Sequence, residues 1–114
     1  MGEKILVLDD EPLVLSTVQR ALGKVGYQVT ATGDPAVFLD ALSAGDSPLL
    51  IMDLHVEGAD VRALAEEAMR LSPRSKILFI SGSVPEGAED GHFLEKPFRI
   101  EELRQKVRGL LDAP

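Results

Sequence analysis

Four consecutive apolar residues, Leu49-Leu50-Ile51-Met52, follow Pro48 and stop abruptly at Asp53. A run that is apolar at every position, rather than at alternate ones, belongs to a strand covered on both faces, as in a parallel sheet. Such a strand does not finish in a carboxylate unless its end opens onto a site. In open α/β sheets, ligands gather at the carboxyl ends of the strands. Three further runs have the same form. Lys4-Ile5-Leu6-Val7-Leu8 leads into Asp9-Asp10-Glu11, Lys76 to Ile80 leads into Ser81, and the weaker Phe93-Leu94 runs into Lys96. The expectation is that these strand ends meet.

The segments between them read as helices. Pro12 suits a first helical turn, where its missing N–H costs nothing, and Val14, Val18, Ala21, Leu22 and Val25 recur at helical spacing before Gly26. After a strand over Tyr27 to Thr32, Asp34 and Pro35 offer an N-cap and first position for a second helix reaching Ala44. Asp60 caps a third, with Val61, Leu64, Ala65, Ala68 and Met69 as its apolar stripe and Ser72-Pro73 as its end. Ile100, Leu103, Val107, Leu110 and Leu111 give the clearest amphipathic helix. Gly82 to Gly91 shows no apolar periodicity and reads as loop. Strands alternating with helices call for an α/β fold on a parallel sheet, with strand 1 over 4–9, strand 4 ending at Ser81 and a short strand 5 over His92 to Glu95.

The chain of 114 residues has room for one domain, expected over residues 1–114, and its 45% hydrophobic and 27% charged residues fit a soluble globular protein. No apolar run approaches the roughly 18 residues that span a membrane. The N-terminus leads straight into a strand and offers no signal peptide. Cysteine is absent, which excludes disulfides and thiolate metal sites and is compatible with a cytoplasmic location. A net charge of −7 argues against nucleic-acid binding by this domain, since neutralising phosphates needs a basic face.

Asp9, Asp10 and Asp53 together would form a cluster that cannot stay ionised without a compensating positive charge. Oxygen-rich acidic sites suit Mg²⁺, which takes one or two carboxylates, several waters and often a phosphate. Ser81 can donate a hydrogen bond to a phosphoryl oxygen, and Lys96 supplies a point charge to the same group. An aspartate nucleophile, Mg²⁺, a hydroxyl and a lysine serve phosphoryl transfer through an aspartyl-phosphate.

These residues resemble the receiver domains of two-component signalling. The matching motifs are Leu8-Asp9-Asp10-Glu11, Asp53 after an apolar strand, Ser81 after another, and Lys96-Pro97-Phe98, with 43 residues from Asp10 to Asp53 and 43 from Asp53 to Lys96. The resemblance covers essentially the whole chain. It implies a flavodoxin-like doubly wound sheet of five parallel strands in the order 2-1-3-4-5. It also implies that Asp53 accepts the phosphoryl group and that Asp10 and Asp53 hold Mg²⁺ directly, with Asp9 acting through water and the His55 carbonyl as a further ligand. Ser81 and Lys96 would contact the phosphoryl group, and the Lys96–Pro97 peptide would be cis. The implied partner is a sensor histidine kinase or phosphotransfer domain, with neither nucleic acid nor membrane insertion. Ser81-Gly82-Ser83, with a short interval before Phe93-Leu94-Glu95-Lys96-Pro97-Phe98, looks most like the C-terminal receivers of hybrid sensor histidine kinases.

Departures from the pattern are specific. Val56-Glu57 stands where Met-Pro is usual, adding an acid near the site. The interval from Ser81 to Lys96 is 15 residues, several short of the usual pattern, and the deficit falls on the fourth helix, expected to be shortened or replaced by loop. The aromatic switch position holds Phe93, which has no hydroxyl. Two other functions compete for the same residues. A Mg²⁺-dependent phosphatase of the haloacid-dehalogenase type wants Asp-x-Asp where this chain has Asp9-Asp10, and a pseudo-receiver would bind partners without being phosphorylated. Glu11 reads as a plain helix-start acid favoured by the macrodipole. Arg99, Arg104, Lys106 and Arg108 read as a solvated helix face, and His55 and His92 as exposed loop residues.

Overall fold

Where the apolar runs stand, a computed structural model of the chain, described over residues 2–83 and 92–114, has five strands. They are β1 (Lys4–Leu8), β2 (Gln28–Thr32), β3 (Leu49–Asp53), β4 (Lys76–Ser81) and β5 (Phe93–Glu95). All pair in parallel, in the order β2-β1-β3-β4-β5. Four helices connect or follow them: α1 (Pro12–Gly23), α2 (Pro35–Ser43), α3 (Val61–Leu71) and α4 (Ile100–Asp112). This is the α/β fold on a parallel sheet expected from the alternation, in the doubly wound order that the resemblance implies.

The continuous apolar run of β3 is explained by its central place, because helices cover both sides of the sheet. Alternate residues of a strand point to opposite faces. Leu49 and Ile51 join Ile5, Val7, Leu78 and Ile80 beneath Val18 and Leu22 of α1 and Leu103 and Val107 of α4. Leu50 and Met52 join Leu6, Leu8 and Ile77 beneath Phe38 and Leu42 of α2 and Val61, Ala65 and Ala68 of α3. Both layers are closed, and every residue of β3 is buried, Asp53 included.

Helix starts follow their capping chemistry. The Asp34 carboxylate accepts the Ala36 N–H at 2.9 Å with Pro35 next in line, and Asp60 accepts the Ala63 N–H at 3.1 Å. At the start of α4 the Glu102 carboxylate reaches back to the Arg99 N–H at 3.1 Å.

Several boundaries differ from the sequence expectation. β1 ends at Leu8, so Asp9 is the first residue past the strand, although its N–H still bonds the Thr32 carbonyl at 3.2 Å. Tyr27 lies outside β2 and His92 outside β5. α1 stops at Gly23, three residues before the predicted stop; Gly26, at φ 101°, completes the reversal, and Val25 is exposed rather than core.

The basic face of α4 is a second correction. Arg104 donates from Nε and Nη2 to the Ala21 carbonyl at 3.0 and 2.9 Å, near the end of α1. Arg108 reaches Glu3 at 3.0 Å, the Tyr27 hydroxyl at 3.0 Å and Asp112 at 2.8 Å. These two side chains fasten α4 to α1 and to the chain before β1. The C-terminal end of α4 is held further by Lys76, whose ammonium donates to the Leu110 carbonyl at 2.8 Å and to that of Ala113. A cation there also suits the negative end of the helix dipole.

The predicted loop over Gly82–Gly91, and with it the shortened fourth helix, falls outside the described residues from position 84 to 91. Among the described residues no helix is long and apolar enough to cross a membrane.

Candidate functional site

Parallel pairing aligns strand ends, and so aligns the residues just beyond them. Asp53 stands opposite Ile80 in the β3–β4 register, while Leu8 at the end of β1 stands opposite Met52. Asp9 and Asp10 therefore come level with Asp53, and ligand oxygens of all three lie within 4.8 Å of one another. Asp9 and Asp53 are buried and Asp10 is exposed, so the cluster faces outward through Asp10.

Backbone groups fix these carboxylates. The His55 N–H donates to Asp53 Oδ1 at 3.0 Å, and the Glu11 N–H donates to Asp9 Oδ1 at 2.8 Å. The Glu57 N–H donates to Asp10 Oδ2 at 3.0 Å. The tight loop that aims Glu57 this way includes Gly58 at φ 77°, a backbone shape that only glycine adopts without strain. Gly33 matters for a different reason: a Cβ there would sit 3.1 Å from the Asp9 carbonyl oxygen.

Lys96 is the cation set against the acids. Its Nζ lies 2.9 Å from Asp9 Oδ2, 2.9 Å from Glu11 Oε1 and 3.0 Å from Asp53 Oδ2. The backbone holds it in place through the Lys96 N–H, which donates to the Ser81 carbonyl at 2.7 Å; the Lys96–Pro97 peptide is cis, as the resemblance implies. Burial alone would lower the Lys96 pKa, but its close contacts with the carboxylates of Asp9, Glu11 and Asp53 outweigh it and hold the ammonium above its usual range. Burial pushes the Asp9 carboxyl up, although the Glu11 N–H and Lys96 pull the other way.

Ser81 is buried at the end of β4, and its Oγ accepts the Ser83 N–H at 3.3 Å. Phe93 stacks on Phe79 with ring centroids 5.5 Å apart and planes at 29°.

The donor set fits a hard divalent cation. Three carboxylates gather around one ammonium, leaving net negative charge. Asp9 Oδ2 is buried yet accepts no well-aligned hydrogen bond, so its contact with Lys96 does not satisfy it. Oxygen-only ligands of this kind suit Mg²⁺.

The structure thus brings Asp9, Asp10, Asp53 and Lys96 together and sets Ser81 on the adjoining strand end. Two residues have roles that the sequence does not announce. Glu11, expected to be a plain helix-start acid, makes no side-chain cap and turns to Lys96 instead. Glu57, expected only to add charge, contributes its backbone N–H to Asp10. Position next to the acidic pair is the available signal for Glu11, but its reach to a residue 85 positions away depends on the folded sheet.

The chain is similar to known proteins over most of its length. The family model described as the response regulator receiver domain matches residues 5–108. The response regulator receiver protein CpdR of Brucella abortus is 28% identical over 118 residues, covering 97% of this chain and 98% of CpdR. The transcriptional regulatory protein TcrA of Mycobacterium tuberculosis is 29% identical over 118 residues, covering 96% of this chain and 46% of TcrA. The chain thus spans about half the length of several curated relatives it matches. Among solved structures, the receiver domain of the hybrid histidine kinase CckA is 32% identical, with a TM-score of 0.83 over 96% of this chain and 99% of that one. A CheY-like receiver domain protein from Methanospirillum hungatei has a TM-score of 0.88 at 22% identity over 98% and 95% of the two chains, which speaks to the fold. The chain belongs to the response regulator receiver domain family of two-component signalling.

Proposed function

We propose that residues 1–114 form one receiver domain that takes a phosphoryl group from a phosphohistidine onto Asp53 and later releases it to water. The observation that carries this reading is Lys96 Nζ at 3.0 Å from Asp53 Oδ2, beside the oxygens of Asp9 and Asp10. A carboxylate so placed is held by the His55 N–H and faces a cation, which is the arrangement that in-line phosphoryl transfer needs.

In the forward step a carboxylate oxygen of Asp53 attacks phosphorus. The P–O bond forms as the P–N bond to the imidazole breaks, and the electron pair stays with the ring nitrogen. In a second step water attacks phosphorus as the P–O bond to Asp53 breaks, returning the Asp53 carboxylate and releasing inorganic phosphate. Lys96 stabilises charge on the transferring oxygens, and Ser81 is placed to donate its hydroxyl hydrogen to one of them. Asp9, Asp10 and Asp53 would hold Mg²⁺, with the His55 carbonyl as a further ligand. When bound, Mg²⁺ supplies neutralisation of the phosphoryl charge.

The partner we infer is a histidine kinase or a phosphotransfer domain in a cytoplasmic relay. The 32% identity to the receiver of the hybrid kinase CckA supports a hybrid-kinase setting. The net charge of −7 supports a domain that does not itself contact nucleic acid, whatever other parts of longer relatives do.

The test is labelling with acetyl phosphate and Mg²⁺, read as a mass increase of the intact chain. Labelling of the wild type and its loss in Asp53→Asn are the expected results; equal labelling of both would remove Asp53 as the acceptor.

A further inference from the structure

Lys96 has three ammonium protons and three carboxylate neighbours: Asp9 Oδ2 at 2.9 Å, Glu11 Oε1 at 2.9 Å and Asp53 Oδ2 at 3.0 Å. With carboxylate oxygens this close on three sides, and hydrogen bonds from Nζ to Glu11 and Asp53, a further anion that approaches Lys96 meets their charge and competes with them for the ammonium. The three differ sharply in what displacement costs. The side chains of Asp9 and Asp53 are 0% and 5% exposed, whereas that of Glu11 is 60% exposed. A buried carboxylate that loses its cation suffers a desolvation penalty, but an exposed one turns to water at little cost. Glu11 is also free of other duty. It stands at the N-cap of α1 without making a side-chain cap bond, so releasing Lys96 does not unmake the helix start.

We propose that Glu11 is a displaceable counter-anion for Lys96, a positioning residue that parks the ammonium over Asp53 and yields it to the phosphoryl group. The idea rests on the phosphoacceptor reading above and adds a regulatory consequence to it. Because Glu11 and the phosphoryl oxygens compete for one ammonium, Glu11 opposes phosphorylation and favours return to the unmodified carboxylate. The carboxylate charge together with its reach to Nζ is what matters, not bulk negative charge near the site. Glu57 provides the comparison: its side chain is exposed nearby, and only its backbone N–H serves the cluster.

The experiment uses the whole chain and measures two affinities by titration, Mg²⁺ alone and then beryllofluoride at saturating Mg²⁺. Wild type, Glu11→Gln, Glu57→Gln and Asp53→Asn are compared. For Glu11→Gln the expected result is beryllofluoride binding about two- to fivefold tighter, the range set by an exposed ion pair, with Mg²⁺ binding unchanged or weaker. Retained Mg²⁺ binding shows that the variant is folded, and a purely structural role would not separate the two affinities in this direction. Beryllofluoride binding by Glu11→Gln equal to or weaker than wild type overturns the inference. So does equal tightening in Glu57→Gln, which would make the effect general charge removal. Wild type that fails to bind beryllofluoride at all, or binds it no better than Asp53→Asn, overturns the phosphoacceptor reading and the inference with it.

Discussion

At the scale of single residues, the site is a contest of charges settled by burial. Asp9 is fully buried with an oxygen that Lys96 satisfies poorly, and burial holds its carboxyl above the ordinary range. Ionised Asp9 therefore burdens the fold near neutral pH when nothing else balances it. Asp9→Asn is expected to raise the midpoint of thermal denaturation in chelator, measured by circular dichroism, and to shrink the further rise caused by added Mg²⁺. A lower midpoint in chelator would mean that Lys96 already balances the acid. Asp53, Asp10 and Lys96 were legible in the sequence because strand ends in a parallel sheet are forced together, so their types and order sufficed. Glu11 was not, because exposure and reach decide its partner, and neither is written in the local sequence.

At the scale of elements, α4 is fixed by clamps rather than by its apolar stripe alone. Arg104 serves a carbonyl near the end of α1 with two donors, and removing it leaves that oxygen short of a partner. Arg104→Ala is expected to cost about 1–3 kcal/mol in urea unfolding, the range for a hydrogen bond from a charged group. The Glu3 carboxylate, one partner of Arg108, gives a pH signature. Glu3 is held down to about 2 from an ordinary 4.5, chiefly by a hydrogen bond from its own backbone, with Arg108 adding to it. A depressed acid contributes stability that is complete above its unfolded value and is lost as the pH falls. Thermal midpoints of wild type and Glu3→Gln should therefore differ most above pH 4.5 and converge as the pH approaches 2. A constant difference across that range would show that the Glu3 charge is not what holds α4. Sequence periodicity found α4 and its buried Leu103, Val107 and Leu110, although Ile100 of the same stripe is exposed; basic residues on its far side looked solvated because their partners come from α1 and the chain's start.

For the whole molecule, stability and ligand binding are thermodynamically linked. The fold gathers acids at one end of a chain whose net charge is −7, so a cation that binds only the folded form must stabilise it. At a free Mg²⁺ concentration about one hundred times its dissociation constant, the gain is about 2.7 kcal/mol. It should appear as a raised denaturation midpoint that Na⁺ at matched ionic strength does not reproduce and that Asp53→Asn diminishes. The two-layer core provides the stiffness behind this. Ile51→Ala, at a position with 0% exposure beneath α1 and α4, is expected to cost about 2–5 kcal/mol in urea unfolding. The parallel sheet covered on both faces followed from alternation and from the unbroken apolar run of β3, whereas the strand order came from the family resemblance alone. The boundaries that shifted, at Tyr27, Val25 and His92, are places where strand pairing or helix exit, not hydrophobicity, decides the end.

The hydrogen bond from the Lys96 N–H to the Ser81 carbonyl, at 2.7 Å, has a consequence for how such chains can diverge. It pins together Ser81, the last residue of β4, and Lys96, the first residue past β5. Whatever length of chain leaves at Ser81 must return at Lys96 to the same point. The number of intervening residues is thereby uncoupled from the distance between hydroxyl and ammonium. Insertions and deletions in that stretch therefore need not move the Ser81 hydroxyl away from the Lys96 ammonium, so the length of the chain between them can vary without renegotiating their spacing.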